Sequence, residues 1–316
     1  MRSPSDQGAD WASAYHVPVL PSEVSGLLAG LASILDGTLG GGGHAETLLA
    51  AGARVTGIDR DPDAVRAASE RLRAYRDAGT FRALVGNFAD VGSIASLAGE
   101  QFDGIVLDLG VSSHQLDDPL RGFSFREGAP LDMRMGTDAT SNGARLLNSA
   151  DERELAFIFK EFGDEPRAYR LAREIVRRRA VRPFATSDDL VGAIRGALGA
   201  RTGPPDFARL FQAVRIAVND ELAALERGLP MLRDRLRAGG VFVVIAYHSG
   251  EDRIVKQAFR DWSRACICPP RQPLCTCGGT ARGELLTRRP VSAGAAEVAR
   301  NPRARSARLR AWRSAR

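Results

Sequence analysis

Three acidic residues, Asp36, Asp59 and Asp108, each close a short apolar run, and a turn containing Gly37, Gly40, Gly41, Gly42, Gly43 and His44 follows the first. Carboxylates in such places can accept the hydroxyls of a ribose, and consecutive glycines let the backbone approach a ligand where a Cβ would clash. The run Ser33–Leu35, the glycine turn, a helical stretch over Ala45–Ala50 and the run Arg54–Ile58 form a strand–turn–helix–strand unit. Asp59 falls about 20 residues beyond the glycines, the separation expected of an acid that holds a ribose. This pattern predicts a site for an adenosine-containing cofactor, without saying which one. A glycine-rich surface loop beside an unrelated strand end is the plainer alternative, and the common register of strand, glycines, helix and acid favours the cofactor.

These residues need a scaffold that brings strand ends together. Pro21–Gly30 reads as a helix leading into the first strand, and Asp61 and Pro62 open another with an N-cap acid and a first-turn proline. Phe81–Val85 and Asp103–Asp108 read as further strands, with Phe88 just past the end of the former. Strands alternating with helices predict an α/β fold, a mostly parallel sheet covered on both faces, whose ligands bind at the carboxyl ends of the strands. Asp36, Asp59, Phe88 and Asp108 all fall at such ends.

Beyond Leu116 the strand rhythm stops. Asp151–Phe162, Pro166–Arg182 and Ser187–Leu198 carry helical patterns, which predicts a helical subdomain over 117–205 inserted into a discontinuous domain made of 16–116 and 206–316, after a loose tail at 1–15. On Pro166–Arg182 an apolar stripe leaves Arg170, Arg173 and Arg177 on another face, either solvated or gripping RNA. A long amphipathic helix is expected over Phe207–Leu229, then a strand over Gly240–Tyr247 with His248–Arg253 at its carboxyl end. Leu285–Thr287 and Ala307–Arg310 are expected as the last strands.

The 316 residues, 44% of them apolar, contain no run of about 18 apolar residues, and the start lacks the apolar centre of a secretory signal. A soluble, cytoplasmic protein without a membrane partner is expected. Seven arginines after Glu297 exceed the whole net charge of +6, so a cationic end could attract phosphate backbones. Only Lys160 and Lys256 are lysine, however, so the arginines also fit a codon bias. Cys266, Cys268, Cys275 and Cys277 share one segment rich in proline and glycine. Paired C-x-C turns could converge on a structural zinc, although zinc sites usually space their cysteines more widely.

With these residues in view, the chain resembles the bacterial 16S ribosomal RNA (cytosine-N4)-methyltransferase family, the MraW or RsmH type. The likeness runs from His16 almost to the C-terminus. It rests on Gly42-Gly43-His44, on Asp108 to Ser113 with Gln115, on Arg121 to Phe125 and on Pro130 to Met135. Phe211 and Gln212, Arg215 and Ile216, Val218 to Leu222, Glu251 to Lys256 and Asn301 to Ser306 extend it. The resemblance implies S-adenosylmethionine as cofactor, a class I methyltransferase fold (Rossmann-like) and an inserted helical domain. Carried over position by position, it places cofactor contacts on Gly42, Gly43, His44, Asp59, Phe88, Asp108 and Gln115. Pro205 to Ala208, Ala246, Tyr247 (where the family usually has phenylalanine) and Gly250 depart from the usual pattern, which bears on the acceptor side more than on the cofactor.

The chemistry that follows is methyl transfer from a sulfonium to the exocyclic amine of a cytidine in the decoding region of 16S ribosomal RNA, within the small ribosomal subunit. That amine is a weak nucleophile, so a proton acceptor helps: Asp108 is the first candidate and His248 the second. Ser112 and Ser113 would hold the base, and Phe123, Phe125 or Tyr247 would stack on it. Asp132 and Arg134 would shape the same cleft, and Arg209 with the C-terminal arginines would hold phosphates. Alternatives are methylation of DNA or a small molecule, a nicotinamide-dependent oxidoreductase, and a non-catalytic ribosome-assembly factor. Monomer and homodimer stay equally open.

Overall fold

A computed structural model describes residues 18–266, 268, 272, 274, 276 and 279–315, with the backbone alone at Ser113. Seven strands form one sheet: β1 (Ser33–Asp36), β2 (Arg54–Asp59), β3 (Phe81–Val85), β4 (Phe102–Asp108), β5 (Leu236–Ala246), β6 (Gly283–Leu285) and β7 (Arg308–Ser314). Their spatial order is β3-β2-β1-β4-β5-β7-β6. The first five run parallel, and β7 pairs antiparallel with both β5 and β6. The α/β expectation therefore holds, with an antiparallel edge that the sequence pattern did not announce. Chain order reverses between β1 and β4, so the carboxyl ends of these two strands flank the crevice where such sheets bind ligands.

Ile34, Leu35, Ile105, Val106, Leu107, Val243, Val244 and Ile245 are all fully buried. These continuous apolar runs are what strands covered on both faces require. One face packs against the helices Pro21–Leu27 and Gly43–Ala50, and the other against Glu221–Arg233 and Ser249–Trp262. Phe242, Phe259, Trp262 and Trp312 form an aromatic cluster on the second face, with ring centroids 5.2–6.4 Å apart. Buried Asp252 ties β7 to that face by pairing with Arg310 at 2.7 Å.

A second core lies between β4 and β5 in the chain. The helices Gly143–Ser149, Glu152–Phe157, Ala168–Arg179, Ser187–Leu198 and Pro204–Asn219 build it, with a wide π turn over Ile158–Phe162. Its members run on through Phe207, Leu210, Phe211, Val214 and Val218, so this core does not close at 205 as the sequence pattern suggested. The reason is local. The expected single helix over Phe207–Leu229 is two helices, broken at Asp220, which takes a left-handed conformation with φ 52°. The break turns the apolar face of Pro204–Asn219 to the helical core and that of Glu221–Arg233 to the sheet.

Candidate active site

The carboxyl ends of β1, β2 and β4 open into a cleft of about 1030 Å³, counting its solvent-open mouth. Gly37, Gly40, Gly43, His44, Asp59, Phe88, Asp108, Ser112, Gln115, Glu221, Tyr247 and Glu251 all border it. Of the expected cofactor residues only Gly42 does not. It turns the chain at φ 79° against Leu72, immediately before the helix that carries His44. A Cβ on Gly37 would lie 2.5 Å from Leu107 Cδ2, so any side chain there would have to displace that fully buried leucine.

Asp59 Oδ2 accepts the amide of Gly40 at 2.7 Å, and Oδ1 that of Asp61 at 2.9 Å. The amides of Thr38, Leu39 and Gly42 likewise donate within the chain, to Asp36, Ile58 and Leu39. The glycine turn thus braces a carboxylate and has few donors left for a phosphate. Burial pushes Asp59 up to about 6, partly offset by those amides. Burial likewise pushes Asp36, behind the turn, up to about 7 against the pull of His44.

Asp108 is held from three sides. Its backbone amide donates to Thr38 Oγ1 at 2.6 Å, the Tyr247 hydroxyl donates to Oδ1 at 2.7 Å, and His44 Nε2 lies 3.4 Å from Oδ2. Burial alone would lower the pKa of His44, but Asp108, Asp36 and Glu297 more than offset this and leave it raised. His44 Nε2 is buried without a formed hydrogen bond. Glu251, also buried, accepts the amide of Tyr247 at 2.8 Å. Burial would raise its pKa, yet His248, that amide and Arg215 hold it low.

Several expected site residues have other work. Gln115 borders the cleft, but its amide nitrogen donates to Asp61 Oδ2 at 3.1 Å and to the Met135 carbonyl at 3.3 Å, and its oxygen accepts from Ser112. Gln115 and Ser112 together form a capping box on the short helix Ser113–Asp117. The side chain of Ser113 lies outside the described residues. His248 caps Ser249–Trp262 and sits 3.3 Å from Glu251 without bordering the cleft, so Asp108 has the better placement for proton transfer. Phe123 is buried in the helical core, and Phe125 packs edge-on against Phe207 and Phe211 at 5.8 and 6.1 Å. Neither ring borders the cleft, so of the three stacking candidates only Tyr247 does. Asp132 and Arg134 pair with each other at 2.7 Å away from it. Arg209 is committed to buried Glu165 at 2.7 Å and to the Gly163 carbonyl, an internal clamp rather than a phosphate grip.

Of the four cysteines, Cys275 and Cys277 lie outside the described residues. Among the described residues no group of three His, Cys, Asp or Glu side chains is placed to hold a metal, and no helix is long and apolar enough to cross a membrane.

Sequence reasoning missed Glu221, Ala224 and Leu225, which border the cleft from the helix beyond the Asp220 break. Glu221 lay within the Val218–Leu222 stretch of the resemblance without being assigned to the site, and reading the segment as one continuous helix gave no signal for Ala224 and Leu225. Glu251 was visible at the end of β5, but only its contact with the Tyr247 amide explains why a carboxylate belongs there.

The arrangement suits a cationic nucleoside. Asp59, Asp108, Glu221 and Glu251 border the cleft, and Glu221 is neutralised by Arg215 at 2.8 Å. Among the described residues, His44 and Arg60 are the only cationic side chains that join them, and Arg60 pairs with Asp138 at 2.8 Å. Leu39, Ala64, Phe88, Leu109, Val111 and Leu225 supply apolar wall for a flat ring. A dinucleotide pyrophosphate would meet carboxylates in place of free amides.

A model of the MraW methylase family matches residues 13–315. The chain is 63% identical over 301 residues to a protein of Gemmatimonas aurantiaca named ribosomal RNA small subunit methyltransferase H, covering 95% of this chain and 96% of that one. Proteins of the same name from Geobacter sulfurreducens and Pelobacter propionicus are 50% and 48% identical. Those two alignments cover 94% and 95% of this chain and 97% and 98% of theirs.

Proposed function

This chain belongs to the MraW methylase family and is a methyltransferase, and from that premise we propose that it methylates the N4 amine of a cytidine in the decoding region of 16S ribosomal RNA, within the small ribosomal subunit, using S-adenosylmethionine. The observation that carries the cofactor half is the glycine turn whose Gly40 amide braces Asp59 inside a carboxylate-lined cleft. A sulfonium is attracted there, and a pyrophosphate is repelled. The acceptor half rests on the family.

When bound, S-adenosylmethionine supplies an electrophilic methyl group. Asp59 would accept the ribose hydroxyls, Phe88 would lie against the adenine, and Gly43 and His44 would border the ligand, with His44 Nε2 kept 3.4 Å from Asp108 Oδ2. Gln115 shapes the wall through its links to Asp61 and Met135. Asp108 faces the acceptor amine and takes its proton, restoring electron density to a nitrogen whose lone pair is otherwise delocalised into the ring. Holding that amine in line with the methyl group carries much of the remaining acceleration.

The test is transfer of label from S-adenosylmethionine to small ribosomal subunits, with the modified nucleoside mapped. One N4-methylcytidine in 16S RNA is expected. Asp108→Asn should lower the rate about 100-fold or more, the scale of a lost general base. Reduction of a nicotinamide, or label on another nucleoside, would refute the assignment.

A further inference from the structure

We propose that Tyr247 is a positioning residue for Asp108: its hydroxyl occupies Oδ1 and leaves Oδ2, on the His44 side, as the oxygen that receives the proton of the acceptor amine. This rests on the methyl-transfer reading and adds the group that fixes the base. Asp108 pairs with Ile245 in the β4–β5 register. Tyr247 lies two residues further on, so both side chains rise from the same face of the sheet. The Tyr247 OH to Asp108 Oδ1 distance is 2.7 Å.

The tyrosine is itself fixed. Glu251 Oε2 accepts its backbone amide at 2.8 Å, and a Cβ placed on Gly110 would stand 3.6 Å from the ring. Burial and the charges of Asp108, Glu251 and Glu297 hold its hydroxyl protonated, so it remains a donor throughout the working pH range. On the far side Oδ2 has His44 Nε2 at 3.4 Å, a longer and looser contact than the one Oδ1 accepts from Tyr247. Oδ2 is therefore the less tightly held of the two oxygens. In the transfer the N4 lone pair forms the C–N bond and the C–S pair leaves on sulfur. One N–H proton passes to Oδ2, so a sulfonium and a carboxylate become a thioether and a carboxylic acid. Without the hydroxyl, the carboxylate is free to rotate about χ2 and Oδ2 loses its defined place.

Tyr247→Phe keeps the ring and removes only the hydroxyl. With labelled S-adenosylmethionine and small subunits, kcat should fall about tenfold, the scale of one hydrogen bond to a charged group. Both KM values should stay within about twofold, because no ground-state contact is lost. Calorimetric binding of S-adenosylmethionine to the same sample reports that the cleft is folded. On an Asp108→Asn background the change should lower kcat less than about twofold, since it acts through the carboxylate. An unchanged kcat, a rise in the subunit KM alone (the mark of a stacking ring), or full additivity with Asp108→Asn would each overturn the proposal. Wild-type protein that leaves cytidine N4 unlabelled would instead refute the substrate assignment.

Discussion

At the residue scale, the cleft gathers carboxylates whose charges are costly until a cation or a hydroxyl arrives. Asp59 rises from 3.8 to about 6 because burial outweighs the two amides that it accepts. The usual carboxylate–pH relation is thereby reversed. Between those values the native state holds a proton that the unfolded chain has released, so this group's contribution to the stability of the ligand-free protein falls as pH rises through the window. Asp36, raised to about 7, and His44, also raised, act in the same direction. Ligand binding has the opposite sign, because ribose hydroxyls and a sulfonium favour the ionised carboxylate. Affinity for S-adenosylmethionine should therefore climb from pH 5 to 7, by up to about tenfold per unit below the pKa of Asp59. Asp59→Asn should weaken binding and flatten that slope. Calorimetric titrations across the range would decide it, and a wild-type affinity independent of pH would refute the role given to Asp59.

At the element scale, the helix Glu221–Arg233 acts as a buttress. A Cβ on Gly228 would stand 2.8 Å from Phe88 Cδ2 and 3.1 Å from the Ala89 Cα, so this helix sets where the Phe88 ring rests. Gly228→Ala brings two opposed effects. Alanine gains about 1 kcal/mol of helix propensity, whereas its methyl must displace the ring. The melting temperature should shift by only a few degrees while affinity for S-adenosylmethionine falls about tenfold, the loss expected from one misplaced aromatic contact of about 1.4 kcal/mol. An affinity equal to wild type, measured with the melt, would contradict the buttress. The same helix marks the limit of what the sequence discloses. Asp36, Asp59, Phe88 and Asp108 were legible because each ends or follows a short apolar run, and parallel sheets bring such ends together. The break at Asp220 was not, since a single left-handed aspartate between two amphipathic helices leaves no trace in periodicity. Arg209, Asp132 and Arg134 misled for a related reason. A charged side chain reads as available until its partner is found, and Glu165 lies 44 residues from Arg209.

At the scale of the whole molecule, two cores meet over one cleft, and the C-terminal charge belongs to their construction. Arg303 pairs with Asp117, Arg308 and Arg310 with Asp252, and Arg313 with Glu284. Much of the cationic end thus fastens the chain to itself, which leaves exposed Arg300 and Arg305 as the better phosphate candidates. The cores are joined by polar links that converge on one segment. Arg121 and Gln115 both reach Asp61 and the Met135 carbonyl. Asn219, buried at the end of its helix, accepts the Met135 amide at 2.8 Å and donates to the Met133 carbonyl at 2.7 Å. Met133 is left-handed at φ 62°, a conformation that such anchors must maintain. Met135 also borders the cleft, so Asn219 links the packing of the helical core to the shape of the site. Asn219→Ala strands a buried donor and a buried acceptor together, which should cost about 2–4 kcal/mol. In urea the midpoint should fall with the slope unchanged, because both cores still unfold and expose the same surface. Affinity for S-adenosylmethionine should weaken in parallel as Met135 loses its place. A midpoint equal to wild type would mean that the Asn219 contacts contribute little to joining the two cores.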